Sequence, residues 1–201
     1  RQRTVPLDQV VEAVGTAEHQ AIARDVTARS LVLVRDSGSV VASLRSGPQP
    51  VSLLVYADDP ANTLGSTLAG VLRAGGYTVT MFRLWPSSGP ASLDSARAAL
   101  AASPTAVVAA SIRVSAWSGT ISMPPHVAEL INATARAKPT VLVSFGSPYL
   151  LSQAAAVQGY LLAWAARPMN ELAVGAALTG RGAISGRPPI PLNDRLPIGP
   201  G

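Results

Sequence analysis

Short apolar runs alternate with helical segments along most of this 201-residue chain, and this alternation limits the possible folds more than any other feature. The apolar runs are too short for buried helices and are rich in β-branched residues, so they predict strands at residues 51–56, 77–84, 105–112, 140–145 and 157–164. Helical segments follow at residues 64–74, 93–102, 126–137 and 169–178. Strands that alternate with helices of this length indicate parallel pairing with helices on both faces. We therefore expect a three-layer α/β/α sandwich with a mostly parallel, five- to six-stranded sheet.

The first 47 residues are expected to precede this core. Helical spacing predicts short helices at residues 7–15 and 18–30, and an apolar run predicts a strand at 31–34. The turn residues after it suggest that residues 40–44 return as a hairpin. We divide a single domain, 1–201, into an N-terminal helix and linker segment (1–47), the sandwich core (48–180) and an extended tail (181–201). The tail is rich in Gly and Pro, so it needs a surface to lie on, either a partner domain or the core itself.

Composition limits the possible partners. The formal net charge is +5, but the arginines are scattered singly, so we expect no nucleic-acid partner. The sequence has no cysteine, and His19 and His126 stand outside any metal-ligand spacing; we expect both histidines on the surface, and neither metal nor other cofactor. No apolar run approaches the ~20 residues of a membrane-spanning helix, so no span is expected. The chain starts at Arg1, which suggests a piece of a longer protein.

Familiar catalytic motifs do not occur. Gly65 and Gly70 have the spacing of a phosphate loop, but Val71 stands where that loop requires lysine. The G-x-S-x-G motif of an esterase-type nucleophile is missing as well. The sequence therefore predicts neither nucleotide binding through a phosphate loop nor a serine hydrolase of this kind.

The carboxylates do not form an evident pair for glycoside hydrolysis, which requires two carboxyl groups about 5–10 Å apart. Asp58 and Asp59 are adjacent, and neighbouring side chains on a strand point to opposite sides. Asp before Pro is also a common turn sequence, so turn chemistry is the favoured interpretation. Glu129 and Glu171 fall on predicted helices and are expected to face solvent. No catalytic residue is predicted in this chain.

Several side chains follow predicted strands directly, and carboxyl ends of parallel strands meet at one edge of a sheet, where ligands bind. The candidates for contact with a ligand or a neighbouring domain are Asp58, Asp59, Arg83, Trp85, Arg113, Trp117 and Ser147. The tryptophans could stack on a sugar, although packing against a domain is favoured because aromatic residues dominate interface energetics. Ser147 precedes proline and is expected to cap a short helix at residues 149–155. Trp164 is expected in the core.

Three stretches, in order, carry a resemblance to a known family: AEHQAIARDVTARSLVLVRD near the start, KPTVLVSFGSPYLL followed by GYLLAWA in the middle, and GRGAISGRPPIPL to LPIGPG at the end. They resemble the C-terminal α/β sandwich domain of glycoside hydrolase family 3, in its β-N-acetylhexosaminidase branch. The resemblance implies an N-terminal (β/α)8 barrel as the partner. It places the nucleophilic aspartate and a histidine–aspartate acid/base on that barrel, which this sequence lacks.

The resemblance therefore implies an accessory, structural domain that is inactive alone. Its parent would be a β-N-acetylglucosaminidase that hydrolyses glycosides with terminal N-acetylglucosamine, including cell-wall fragments, in a secreted, periplasmic or cell-surface setting. In the β-glucosidase branch the second domain supplies a glutamate acid/base, and no glutamate stands in a strand-end loop here. One alternative is a stand-alone carbohydrate-binding module that uses Trp85 and Trp117. Another is an independent hydrolase, which is less favoured because no nucleophile–base pair is visible.

Overall fold

The computed structural model describes residues 13–113 and 121–192, together with Pro6 and Val10. Within these ranges six strands form one sheet in the order β1-β6-β5-β4-β2-β3, with helices on both faces. The strands are β1 (Val32–Asp36), β2 (Pro50–Ala57), β3 (Thr78–Leu84), β4 (Thr105–Ser111), β5 (Thr140–Ser144) and β6 (Gly159–Leu162). All neighbours pair in parallel except β1, which runs antiparallel to β6. The predicted α/β sandwich with a mostly parallel sheet is confirmed.

The structure describes six α-helices. They are α1 (Ala17–Arg29), α2 (Val40–Arg45), α3 (Ser66–Ala74), α4 (Pro90–Ala101), α5 (Pro125–Ala137) and α6 (Pro168–Leu178). Apolar residues of α2, α3 and α6 pack in one hydrophobic cluster, and those of α4 and α5 pack in another on the opposite face. Because crossovers between parallel strands are right-handed, α3 and α4 must lie on opposite faces for β3 and β4 to flank β2.

Strand β2 shows how successive side chains of one strand divide between the two hydrophobic clusters. Val51, Leu53 and Val55 enter the first cluster, while Leu54 and Tyr56 enter the second. Successive side chains of a strand point to opposite faces, and both faces here are covered by helices. The continuous apolar run of β2 is therefore the pattern of a strand buried on both sides.

The antiparallel edge strand β1 joins the start of the chain to its end. Val32 pairs with Leu162, and the register shifts between Leu33 and Arg35. The first part of the tail lies on the same edge, because the N–H of Gly186 donates to the carbonyl of Leu31 at 2.8 Å. The described tail residues, which end at 192, thus lie on the body of this domain, one of the two surfaces considered from the sequence.

Two local predictions differ from the structure. Residues 40–44, expected as a hairpin return, belong to helix α2, and the carboxylate of Asp36 accepts from the N–H groups of Val41 and Ala42 at 2.8 and 3.3 Å. This capping satisfies N–H groups at the helix start and favours helix over strand. Where a helix was expected at 149–155, the structure has a single 3-10 turn, Leu150–Ser152.

Helix α1 agrees with the predicted span, and Thr16 caps it by accepting from the N–H of His19. Its apolar residues do not enter the core: Ile22 and Val26 are 56% and 54% exposed. The helix predicted at 7–15 lies mostly outside the described residues. None of the described helices combines the length and apolar character needed to cross a membrane.

Candidate functional site

An open cleft of about 610 Å³ lies at the carboxyl ends of the parallel strands. The chain passes from β2 to β3 on one side and then crosses to β4 on the other, so strand order reverses between β2 and β4. Ligands of open α/β sheets bind outside such a reversal point. Side chains and backbone from four strand ends line the cleft: Asp59 and Asn62 after β2, Arg113 after β4, Gly146 after β5, and Trp164 and Arg167 after β6.

Asp58 and Asp59 both contact Arg113 across the reversal point. The backbone N–H of Arg113 donates to Asp58 Oδ2 at 2.8 Å, and its guanidinium Nη2 donates to Asp59 Oδ2 at 3.0 Å. Asp58 Oδ1 lies 3.5 Å from Nε of Arg113, an ion-pair distance without hydrogen-bond geometry. Asp59 Oδ1 accepts from the N–H of Ala61, which closes a turn around Pro60. The three predicted residues therefore form one ion-paired unit.

Gly146 brings the end of β5 close to the end of β4. A Cβ atom at this position would lie 2.2 Å from the carbonyl oxygen of Ile112. The next residue continues the contact, because the N–H of Ser147 donates to the same oxygen at 3.0 Å. The cleft floor can therefore form only around a residue without a side chain at 146.

Trp164 stands at the centre of an unusual turn directly after β6. Its φ is 66°, in the left-handed region, and the N–H of Ala165 donates to the carbonyl of Ala163 at 2.8 Å. This hydrogen bond between residues two apart defines a γ-turn, and the form with a positive φ at its centre is rare and strained. The indole Nε1 donates to the carbonyl of Ser30 at 2.7 Å. Expected in the core, Trp164 instead packs partly against it and also lines the cleft.

Arg167 extends the site beyond the residues predicted from the sequence. It precedes α6, is exposed, and lines the cleft. Among the described residues, its guanidinium makes no hydrogen bond or ion pair. Asp58 and Asp59 carry two negative charges, and Arg113 and Arg167 carry two positive charges, so the four ionised groups balance.

Glu171, expected to face solvent, is only 2% exposed. One carboxylate oxygen, Oε2, accepts from the backbone N–H groups of Gly65 and Leu68, each at 2.9 Å. These groups open helix α3 and would otherwise have no acceptor inside the helix. Burial raises the pKa of Glu171, while the backbone hydrogen bonds and the charge of Arg83 act in the opposite direction. Its partners are about a hundred residues away in sequence, which is why spacing on its own helix misleads the prediction.

Arg83 and Trp85 lie at the end of the edge strand β3, apart from the cleft lining. The guanidinium of Arg83 donates to the carbonyls of Asn62, at 2.9 Å, and Leu64. It also lies 5.8 Å from the ring centre of Trp85, within cation–π range. Arg83 therefore holds the loop that follows Asp59, and Glu171 holds the end of that loop through the N–H groups of Gly65 and Leu68.

The other candidates have separate surroundings. Ser147 is buried, and its Oγ accepts only a long hydrogen bond, 3.4 Å, from the N–H of Tyr149. Trp117 lies outside the described residues. His126, expected on the surface, has a buried Nε2 with no hydrogen-bond partner among the described residues. Within residues 13–113 and 121–192, no three His, Asp or Glu side chains are grouped as metal ligands.

Sequence signals for the missed residues are weak. Trp164 and Arg167 follow a predicted strand, as the other candidates do, but the apolar run 157–164 makes the tryptophan look like part of the strand. Pro168 at the first position of α6 marks the helix start and would have placed Arg167 in the strand-end loop.

The fold and the cleft define a class: a doubly wound α/β sheet whose reversal point opens to solvent. Several solved structures resemble this chain in fold. A beta-glucoside phosphorylase, BglX, superposes with a TM-score of 0.71 at 21% identity, over 93% of this chain and 34% of that one. A glycoside hydrolase family 3 beta-N-acetylglucosaminidase from Paenibacillus sp. str. FPU-7 gives 0.67 at 20%, over 92% and 35%. A beta-glucosidase from Listeria innocua gives 0.69 at 17%, over 94% and 29%.

These matches confirm, at the level of the fold, the predicted resemblance to a domain of glycoside hydrolase family 3 proteins. This chain spans only about a third of the length of the proteins it matches. No protein-family model matches the sequence, and no curated protein matches it significantly.

Proposed function

We propose that this chain is the accessory sandwich domain of a family 3 β-N-acetylglucosaminidase, a glycosidase that removes terminal N-acetylglucosamine. In this proposal the catalytic (β/α)8 barrel belongs to another part of the same parent protein. The domain packs on the barrel and borders its substrate cleft with the loops after Asp59 and Arg113. The whole of residues 1–201 would act as one such domain.

The proposal rests mainly on one observation: both carboxylates that follow strand β2 pair with the same arginine. Asp58 and Asp59 lie at the carboxyl edge, where a catalytic pair would be expected, yet both contact Arg113. A glycosidase pair needs one carboxyl group free to donate a proton and the other free to attack or to activate water. This edge suits contact with a neighbouring domain or a substrate better than hydrolysis by the chain alone.

The choice of the N-acetylglucosaminidase branch rests on where the glutamates are. The resemblance implies that β-glucosidases take an acid/base glutamate from this domain. Among the described residues, the glutamates lie on helices, at Glu18, Glu129 and Glu171. The one near the cleft, Glu171, is buried and bonded to the start of α3. Residues 114–120, which the structure does not describe, contain neither glutamate nor aspartate.

A complementation assay tests the proposal. The chain and the barrel of its parent would be produced separately and mixed with 4-nitrophenyl N-acetyl-β-glucosaminide, with the matching β-glucoside for comparison. We expect no turnover by the chain alone. We expect faster hydrolysis of the N-acetylglucosaminide when the folded chain is added to the barrel, and no gain from heat-denatured chain.

Two results would refute it. Turnover by the chain alone would indicate an independent hydrolase, and Asp58, Asp59 and His126 would then be mutated first. An unchanged barrel rate in the presence of the chain would remove the accessory role, and glycan binding that depends on Trp85 and Trp117 would instead support the carbohydrate-binding module.

A further inference from the structure

We infer that the cleft binds a pyranose ring of a glycan, with Trp164 as its stacking surface and Arg167 and Asp59 as hydrogen-bonding partners. The inference deepens the proposed function and rests on it for the class of ligand. It assigns sugar contact to Trp164 and Arg167, neither of which the sequence places among the candidate contact residues.

The first reason is the strained backbone at Trp164. A non-glycine residue with a positive φ is uncommon, and strain of this kind persists at ligand sites when the surrounding structure enforces it. Trp164 is a bulky residue with φ 66° in a γ-turn, at the edge of a cleft rather than in a surface loop without neighbours. Glycine adopts this φ without strain, so the tryptophan at this position carries a cost in backbone energy.

The second reason is that hydrogen bonds fix both the turn around Trp164 and the indole itself. The carbonyl of Ala163 accepts from the N–H of Ala165 and from Nδ2 of Asn170, at 2.8 and 2.7 Å. The N–H of Ala163 donates to the carbonyl of Ser144 on β5 at 2.8 Å, and the indole N–H donates to Ser30. A ring held in this way needs little further ordering when a ligand stacks on it, which favours binding.

The third reason is the chemistry of the remaining lining. The cleft lining includes the charged residues Asp59, Arg113 and Arg167, whereas Asp58 lies outside the lining and contacts Arg113. The guanidinium of Arg167 has its donors free of partners among the described residues. Asp59 can accept beyond its bonds to Arg113 and Ala61, because a carboxylate offers about four lone-pair sites. An aromatic surface beside a few planar polar groups matches a pyranose, which has an apolar face and a rim of hydroxyls.

NMR titration of the 201-residue chain with triacetylchitotriose tests the inference. Each of the three tryptophans gives one indole N–H resonance, so the site can be located directly. We expect saturable shifts at Trp164 and at the amides of residues 165–167. Removing one hydrogen-bonding group in R167A should weaken binding about fivefold, equivalent to about 1 kcal/mol. W164A should lose saturable binding.

Matched variants control the experiment. W85F changes another strand-end tryptophan, and R97A removes an exposed arginine on α4; both should bind as the unmodified chain does. If W164A does not fold, R167A remains decisive because the side chain of Arg167 is exposed and bonds to none of the described residues. No saturable shift, normal binding by R167A, loss of binding in W85F, or binding of inorganic phosphate at Arg167 would each overturn the inference.

The two experiments test the sugar site and the accessory role independently, so one proposal can fail while the other stands. The titration uses no barrel and no turnover, so a flat titration beside successful complementation would remove the sugar site and keep the accessory role. Sugar binding that maps to Trp164, beside failed complementation, would keep the site and remove the accessory role.

Discussion

The carboxylate of Glu171 accepts a hydrogen bond of 2.9 Å from the backbone N–H of Leu68, and this contact joins two helices on one face of the sheet. The same oxygen also binds the N–H of Gly65, the residue that precedes α3. A buried side chain of α6 therefore supplies the cap that α3 lacks in its own sequence. The contact fixes the loop that leads from Asp59 relative to the helix that begins after Arg167.

Glu171→Ala should destabilise the domain by about 2–3 kcal/mol, because two buried N–H groups lose their acceptor and a cavity remains. Glu129→Ala is the matched control: Glu129 is exposed on α5, and its loss should change stability by less than about 0.5 kcal/mol. Urea unfolding followed by circular dichroism measures both. Equal stability of the two variants would contradict the capping role.

The stability supplied by Glu171 should fall as pH rises. Its pKa in the folded protein is raised above the ordinary 4.5 by burial, so the folded state holds the proton at pH values where the unfolded state has lost it. Its contribution is full below about pH 4.5 and declines as pH rises through the folded pKa, by at most about 1.4 kcal/mol per pH unit.

Glu171→Gln does not titrate and serves as the reference. The unfolding free energy of the unmodified chain minus that of Glu171→Gln, measured from about pH 4 to 8, should decrease with pH. A difference that grows with pH would show that the hydrogen bonds outweigh burial at this site.

Gly146→Ala should prevent folding or cost more than about 3 kcal/mol, since its Cβ would meet the backbone oxygen of Ile112, which cannot move away without breaking the β4–β5 contact. Gly70→Ala is the opposite case. Gly70 lies inside α3 with nothing near its would-be Cβ, so alanine should stabilise by about 0.5–1 kcal/mol. Thermal unfolding of the two variants should shift in opposite directions, and a shared direction would contradict this account.

Asp58→Ala should cost more stability than Arg113→Ala. Asp58 accepts from the backbone N–H of Arg113, a bond that joins the loops after β2 and β4 and survives loss of the arginine side chain. We expect about 1–2 kcal/mol for Asp58→Ala. The Arg113 side chain is 54% exposed, so its ion pairs should contribute less than about 1 kcal/mol. Denaturant midpoints compare the two, and the reverse order would assign the stability to the ion pairs.

The fold was predictable because its main signal is local. Each buried parallel strand, such as β2 or β4, is a continuous apolar run, and the turn residues between runs mark the helices. Residues 40–45 show the limit of this signal. A short run with two valines suits either strand or helix, and the choice depends on Asp36, whose carboxylate caps the helix from outside the run.

The site was predictable only in part, because its geometry depends on contacts between distant segments. Asp58, Asp59 and Arg113 could be grouped from the shared edge of parallel strands, without knowing that they form an ion-paired unit. The burial of Glu171 depends on Gly65 and Leu68, and the turn at Trp164 depends on Ser30 and Asn170. The spacing of residues within one helix or strand cannot reveal contacts with such distant segments.

The antiparallel pairing of β1 with β6 also affects the order of folding. Strands β2 to β5 can pair successively through short crossovers, whereas Val32 meets Leu162 only after most of the intervening chain has been ordered. Closing so long a loop has a larger entropic cost than forming the local βα units, so the edge should form late. Substitutions in β1 would then speed unfolding and leave the folding rate nearly unchanged, which makes this edge the first part of the domain to open.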